Sequence, residues 1–219
     1  MRPWPPKRRG SYERAVEHGL DRRGADTSGR PVGTGAPVAA QKPTSRAFHA
    51  RSTCGLLRQF FPALRQIVAG GPAPVQAKAA PTARLVFWNV ERLRHLADIA
   101  ATLSALKPDA MLLSEIDCGM AWFGNGDRVV QLANRLGAAY FYAVEFIELD
   151  LGDVHEQKTH AGEVNSDGFH GEAILSDVAL AGPALIRLER RGNWFKLDRH
   201  EPRVGGTITL CAEITVAGM

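Results

Sequence analysis

The sequence predicts an α+β domain, sheets packed together with helices outside, preceded by an extension of a different character. Three features point there. Residues 84–149 alternate apolar runs with helical spacing, residues 169–214 hold strand-like runs with no helix between them, and residues 1–83 share neither pattern.

The extension differs first in charge. Residues 1–83 hold 14 of the chain's 27 Lys and Arg but only 4 of its 23 Asp and Glu, so the net charge of +4 conceals a basic arm and an acidic domain. A nucleic-acid footprint needs positive charge gathered on the folded face that makes contact, so net charge gives that function little support. Residues 1–50 are rich in Arg, Pro and Gly and sparse in large aliphatics. Such a segment buries too little apolar surface to offset its ordering entropy and is expected to be disordered.

Further on, Leu56, Leu57, Phe60, Phe61, Leu64, Ile67 and Val68 recur at helical spacing, which predicts an amphipathic helix ahead of a Pro/Ala linker. Arg58, Arg65 and Pro62 exclude a membrane span there. The stretch "QAKA" is similar to a small-residue cleavage site, but Arg65 breaks the apolar region and the site lies far from Met1. A cytoplasmic location is therefore favoured over secretion. Cys54, Cys118 and Cys211 are odd in number and form no CxxC pair, which excludes a disulfide framework and a cysteine zinc site.

The domain is expected over residues 84–219. "LVFWNV" reads as a strand, and Leu96, Ile99, Leu103 and Leu106 then share one helical face that Pro108 ends. "PDAMLLSEID" is a second strand. Asp127 is placed to cap a helix carrying Val129, Leu132, Ala133 and Leu136, Gly137 suits its C-cap, and residues 139–149 form a third strand. Residues 150–168 are polar and long for a connection, so a functional or mobile loop is expected. "FHGEAILSDVAL", "GPALIRLERR" and "GGTITLCAEITVAG" follow as a strand meander. No Gly-x-Gly-x-x-Gly follows the first strand, so nothing supports a dinucleotide site.

Polar residues end the first two strands: Asn89 and Glu91 on one, Glu115 on the other. Neighbouring strands would gather them at one sheet edge. A carboxylate beside a carboxamide is a common way to hold Mg²⁺, with water and phosphate oxygens completing its shell. Asp117 reads as a nearby loop acid. His155, His160, His170 and His200 match no usual zinc spacing, and His170 reads as a buried structural histidine. Trp88 reads as core.

"LVFWNVERL", "KPDAMLLSEID", "GFHGEAILSDVAL" and "EPRVGGTITLCAEI", in this order, resemble the endonuclease/exonuclease/phosphatase superfamily, the DNase I-like metal-dependent phosphoesterases. The resemblance implies a four-layer α/β/β/α sandwich, here partial, and hydrolysis of phosphate esters with Mg²⁺ or Mn²⁺. It implies that Glu115 is the metal-binding glutamate, that Asn89 lies beside metal and phosphate, and that Glu91 supports the metal. Arg203 would lie near the substrate phosphate. Nucleic acids, inositol phosphates and phospholipid head groups are all substrates within the superfamily.

The departures are specific. Glu172 and Asp177 stand where many relatives have Asn and Arg, and Ser114 stands where Gln is frequent. The later His or Tyr, the Gly-Asp-x-Asn strand end and the terminal Asp-His pair of the family have no match in this sequence. The metal half of a site is expected without its general-base half. The rival expectation is a truncated, non-catalytic fragment or interaction module whose bare sheet face a partner covers. A DNA-binding role for the basic arm rests on charge alone.

Overall fold

The computed structural model describes residues 61–72, 82–188, 194–197 and 201–215. Strand β1 (Ile67–Gly70) follows a 3-10 turn at Pro62–Arg65. Then come β2 (Leu85–Asn89), helix α1 (Leu96–Leu106), β3 (Ala110–Cys118), α2 (Arg128–Leu136) and β4 (Ala139–Glu148). A short α3 (Val154–Thr159) precedes β5 (Phe169–Ser176), β6 (Leu180–Arg187), β7 (Trp194–Leu197), β8 (Pro202–Gly205) and β9 (Ile208–Ile214).

Seven strands form the large sheet in the order β2-β3-β5-β4-β8-β7, with β1 also paired to β4. β2 and β3 run parallel because helix α1 carries the chain back between them. β5 lies antiparallel between β3 and β4. On its other edge β4 has two partners end to end, β1 opposite residues 140–143 and β8 opposite residues 146–148. The Arg187 guanidinium fills the junction, donating to the carbonyls of Gly206 (2.8 Å), Val144 (3.0 Å), Glu145 (3.3 Å) and Leu64. A planar five-donor fork satisfies carbonyls that neither short strand reaches.

Helices α1 and α2 cover one face of this sheet. Leu96, Ile99 and Leu103 of α1 and Val129, Leu132 and Ala133 of α2 pack on Met111, Leu113, Tyr142 and Leu175. Asp127 caps α2 by accepting from the Val130 N–H at 3.0 Å, and Gly137 ends it in the left-handed conformation. Leu106 is more exposed than its spacing suggests, because Lys107 turns left-handed immediately after it. Trp88 packs on this helix-side core, as expected.

The opposite face receives the antiparallel pair β6-β9, whose Leu180, Ile208 and Leu210 pack on Phe141, Ala143 and Ile174. The expected α+β class is met, with α/β/β layers among the described residues. The small sheet covers β4 and β5 but not β2, where Leu85 is 58% and Phe87 78% exposed.

Several expectations change. Of the amphipathic helix, Leu56, Leu57 and Phe60 lie outside the described residues, as do residues 1–50 and Cys54. Its remainder is the 3-10 turn and β1, because Pro62 starts a tight turn and β-branched Ile67 and Val68 find a partner in β4. With Leu64 fully buried, the fold begins upstream of the expected Arg84 boundary. The later strands do not meander: β6 and β9 form the second sheet while β7 and β8 return to the first. The connection over residues 150–168 is laced with hydrogen bonds, among them Asn165 Oδ1 from the Ala121 N–H and Asn165 Nδ2 to the Asp150 carbonyl.

Candidate functional site

The site is built around an irregularity in β3. The pairing with β5 jumps from Leu113 opposite Ala173 to Ile116 opposite Gly171, so Ser114 and Glu115 together face Glu172. This is a β-bulge, and Glu115 adopts the left-handed conformation within it (φ +58°). That conformation costs an L-residue about 1–2 kcal/mol.

The extra residue also inverts the alternation of the strand. Met111 and Leu113 face the helices before the bulge, and Ile116 and Cys118 face them after it. Asp117 is thereby delivered to the opposite face. A second register shift, between Val144 and Phe146 of β4, does the same for Phe146 while Ile147 stays on the helix side.

Asn89 ends β2 opposite Ser114. Its Nδ2 donates to Glu115 Oε1 at 2.7 Å, and its Oδ1 accepts the Glu91 N–H at 3.0 Å. The second bond closes an Asx turn, in which a side chain imitates a backbone turn. Glu91, Arg92 and Leu93 then adopt positive φ in succession (44°, 60° and 56°), a strained left-handed turn. Leu93 is anchored by complete burial and Arg92 by charge. The Glu91 side chain stays exposed.

Arg92 leads into a buried network. Its Nη1 binds Glu156 Oε1 at 2.9 Å, its Nε lies 3.9 Å from Asp117 Oδ2, and its guanidinium sits 5.1 Å from the Trp122 ring centre. Burial alone would lower the Arg92 pKa, but the Asp117 and Glu156 carboxylates reverse this and hold it above its ordinary value. Asp117 is fully buried and accepts from Trp122 Nε1 at 3.3 Å. Its Oδ1 lies 2.6 Å from His170 Nδ1, the residue registered directly opposite on β5. The sequence reading of Asp117 as a loop acid is corrected: it is a strand residue turned toward polar partners by the bulge.

The His170 ring stacks on Phe146 with centroids 4.4 Å apart, and the Arg203 guanidinium lies 4.6 Å from the same Phe146 ring. Arg203 also binds Glu148 (2.8 Å) and Glu201 (2.7 Å). Burial pushes the Glu148 carboxyl up, partly offset by Arg203, and its Oε1 has no partner. Asn89 and Glu115 meet across β2 and β3, and Arg203 lies towards the same end of the sheet on β8, three strands from β3. Arg203 is engaged by two carboxylates there, and a phosphate could reach its Nη2 only by displacing the more exposed Glu201.

Glu172 accepts the Leu210 N–H at 3.4 Å and so ties β5 to the second sheet, whereas Asp177 lies on an exposed turn. His160 contacts Glu163, and His200 lies outside the described residues. Among the described residues no group of three or more His, Cys, Asp or Glu side chains is arranged to hold a metal. Glu115 still offers Oε2, which has no protein partner among them, and Asn89 Oδ1 retains one lone pair. One carboxylate and one carboxamide oxygen suit Mg²⁺ or Mn²⁺ that keeps most of its water, and do not suit tetrahedral zinc.

No protein-family model matches the chain, and no curated protein matches it. Among solved structures it is similar to an endonuclease/exonuclease/phosphatase from Beutenbergia cavernae DSM 12333, at 18% identity and a TM-score of 0.36. The match covers 63% of this chain and 39% of that one.

Proposed function

We propose that this chain binds Mg²⁺ or Mn²⁺ through Glu115 and hydrolyses phosphate esters. The observation that carries the reading is the β3 bulge, which holds Glu115 in a costly left-handed conformation beside the end of β2, where Asn89 steadies it. Strain of this kind collects at functional sites. The four ordered motifs support the same reading.

Glu115 would hold the divalent cation, which when bound would supply Lewis acidity toward a phosphoryl oxygen. The residues divide the remaining work. Asn89 fixes the Glu115 carboxylate through Nδ2, which leaves Oε2 free for the cation. Glu91, exposed two residues beyond, would accept from water around it. Arg203 adds positive charge on the phosphate side once Glu201 gives way. The acidic domain favours small or flexible phosphate esters over duplex DNA.

The test uses the purified full chain with bis(p-nitrophenyl) phosphate and p-nitrophenyl phosphate. Hydrolysis is expected only with Mg²⁺ or Mn²⁺, and it is lost in Glu115→Gln. Turnover that persists in that variant contradicts the proposal. The exposed Leu85 and Phe87 favour a second reading, an interaction module whose partner covers that face. Under it, the wild-type chain shows no metal-dependent hydrolysis at all.

A further inference from the structure

Asp117 and His170 face each other on adjacent strands of the large sheet. Apolar residues at these facing positions would pack against Phe146 without the cost of burying a carboxylate, an imidazole and a guanidinium side by side. The pair is instead arranged in a particular sense. Asp117 is fully buried, and one of its oxygens already receives Trp122 Nε1–H with Arg92 beside it. The other oxygen meets His170 Nδ1 at 2.6 Å, so the carboxylate accepts and Nδ1 donates. In the neutral ring that bond selects the Nδ1–H tautomer, which carries its lone pair on Nε2.

Nε2 is the ring nitrogen that Asp117 does not engage. Among the described residues, the buried side-chain nitrogen and oxygen atoms without a partner are Arg128 Nε and Glu148 Oε1. Among the described residues His170 Nε2 likewise has no partner; His170 is 6% exposed overall, and Nε2 is not one of the fully enclosed atoms. Phe146 stacks on one face of the ring. Asp117 lies two residues beyond Glu115 on β3, and His170 is its cross-strand neighbour, so the free nitrogen and the proposed cation ligand occupy the same end of the sheet.

We infer that His170, oriented by Asp117, is the general base of the phosphoester hydrolysis proposed above, an inference that rests on that reading. His170 Nε2 takes a proton from water as the water oxygen bonds to phosphorus. The bond from phosphorus to the departing oxygen breaks, its electron pair leaves with that oxygen, and solvent protonates it. His170 then returns its proton to solvent. A carboxylate that fixes the tautomer and steadies the resulting imidazolium is the general solution to this task. The charged groups around the ring are Asp117 on β3 with Arg92 behind it, Glu172 on β5, and Arg203 beyond Phe146 on the β8 side.

The experiment compares wild type, Glu115→Gln, His170→Asn and Asp117→Asn in full-length chain, with bis(p-nitrophenyl) phosphate as substrate and Mn²⁺ affinity measured separately by electron paramagnetic resonance. His170→Asn is expected to lower kcat about 10²–10⁴-fold, abolish the acid limb of its pH profile and leave Mn²⁺ affinity within threefold. Asp117→Asn is expected to lower kcat with KM little changed. If wild type and His170→Asn hydrolyse within threefold of each other while Glu115→Gln is dead, the inference fails and the proposed function stands. If wild type hydrolyses nothing with either cation, both fail. Loss of Mn²⁺ binding in His170→Asn makes His170 a ligand and also overturns the inference. Should the variants not fold, ¹⁵N NMR of the wild-type histidines decides: an Nδ1–H tautomer with Nε2 accepting is required, and the reverse tautomer refutes it.

Discussion

Replacing Glu115 by Gly and by Ala separates the backbone's role from the carboxylate's. Both variants lose the Asn89 bond and the charge, so their difference reports only the conformation at φ +58°. An L-residue there costs about 1–2 kcal/mol, and Gly gives back about 0.5–1 kcal/mol in extra unfolded-state freedom. Glu115→Gly should therefore exceed Glu115→Ala in stability by about 0.5–1 kcal/mol. With a urea slope of about 2 kcal/mol/M, the midpoints differ by about 0.3–0.5 M. Ser114, its neighbour in the bulge but without positive φ, is the control, and there Gly should be the less stable of the two. Urea unfolding followed by circular dichroism reads both pairs. An Ala variant as stable as the Gly variant at residue 115 refutes the left-handed bulge, and with it the reason given for where Glu115 points.

Other substitutions probe the network and the sandwich. Asp117→Ala strands Arg92 and the Trp122 N–H in a buried setting, and should cost about 3–5 kcal/mol in urea unfolding; a loss below about 1 kcal/mol contradicts the ion pairing described. Burial pushes Glu172 above its ordinary value, and neighbouring Glu145 adds to this while the Leu210 N–H opposes it. A raised carboxyl means that the folded chain keeps a proton the unfolded chain has shed. Its contribution is fully present below the ordinary value of 4.5 and is lost as pH rises through the raised one. As pH rises above 4.5, wild type should therefore lose more stability than Glu172→Gln, and parallel profiles for the two would contradict the assignment.

Much of the helical layer was legible because it follows from local chemistry. Asp127 and Gly137 sit at the ends of α2 because their side chains, or lack of one, suit those positions, and the spacing of Leu96, Ile99 and Leu103 marks the buried face of α1. The strand-end placement of Asn89 was legible for a similar reason, since an apolar run followed by a polar residue marks where a strand leaves the core, whereas β3 continues past Glu115 to Cys118. β1 was not, because Ile67 and Val68 follow a helical spacing until the partner strand is known, and β4 is more than 70 residues away. His170 is buried as its sequence reading had it, but its pairing with Asp117 was missed through the bulge. Strict alternation from Leu113 would point Asp117 at the helices, and only the extra residue in β3 turns it to meet His170. Short motifs hold no signal for such a shift; a non-Gly residue in the left-handed region leaves no mark in the sequence.

Everything proposed for function depends on whether Glu115 holds a cation. Electron paramagnetic resonance titration of Mn²⁺ into the full chain measures this without any substrate. One bound Mn²⁺ per chain is expected, displaced by Mg²⁺, with affinity lost in Glu115→Gln and weakened in Asn89→Ala, where the carboxylate is no longer steadied. Equal binding by wild type and Glu115→Gln, or no binding by either, contradicts the account.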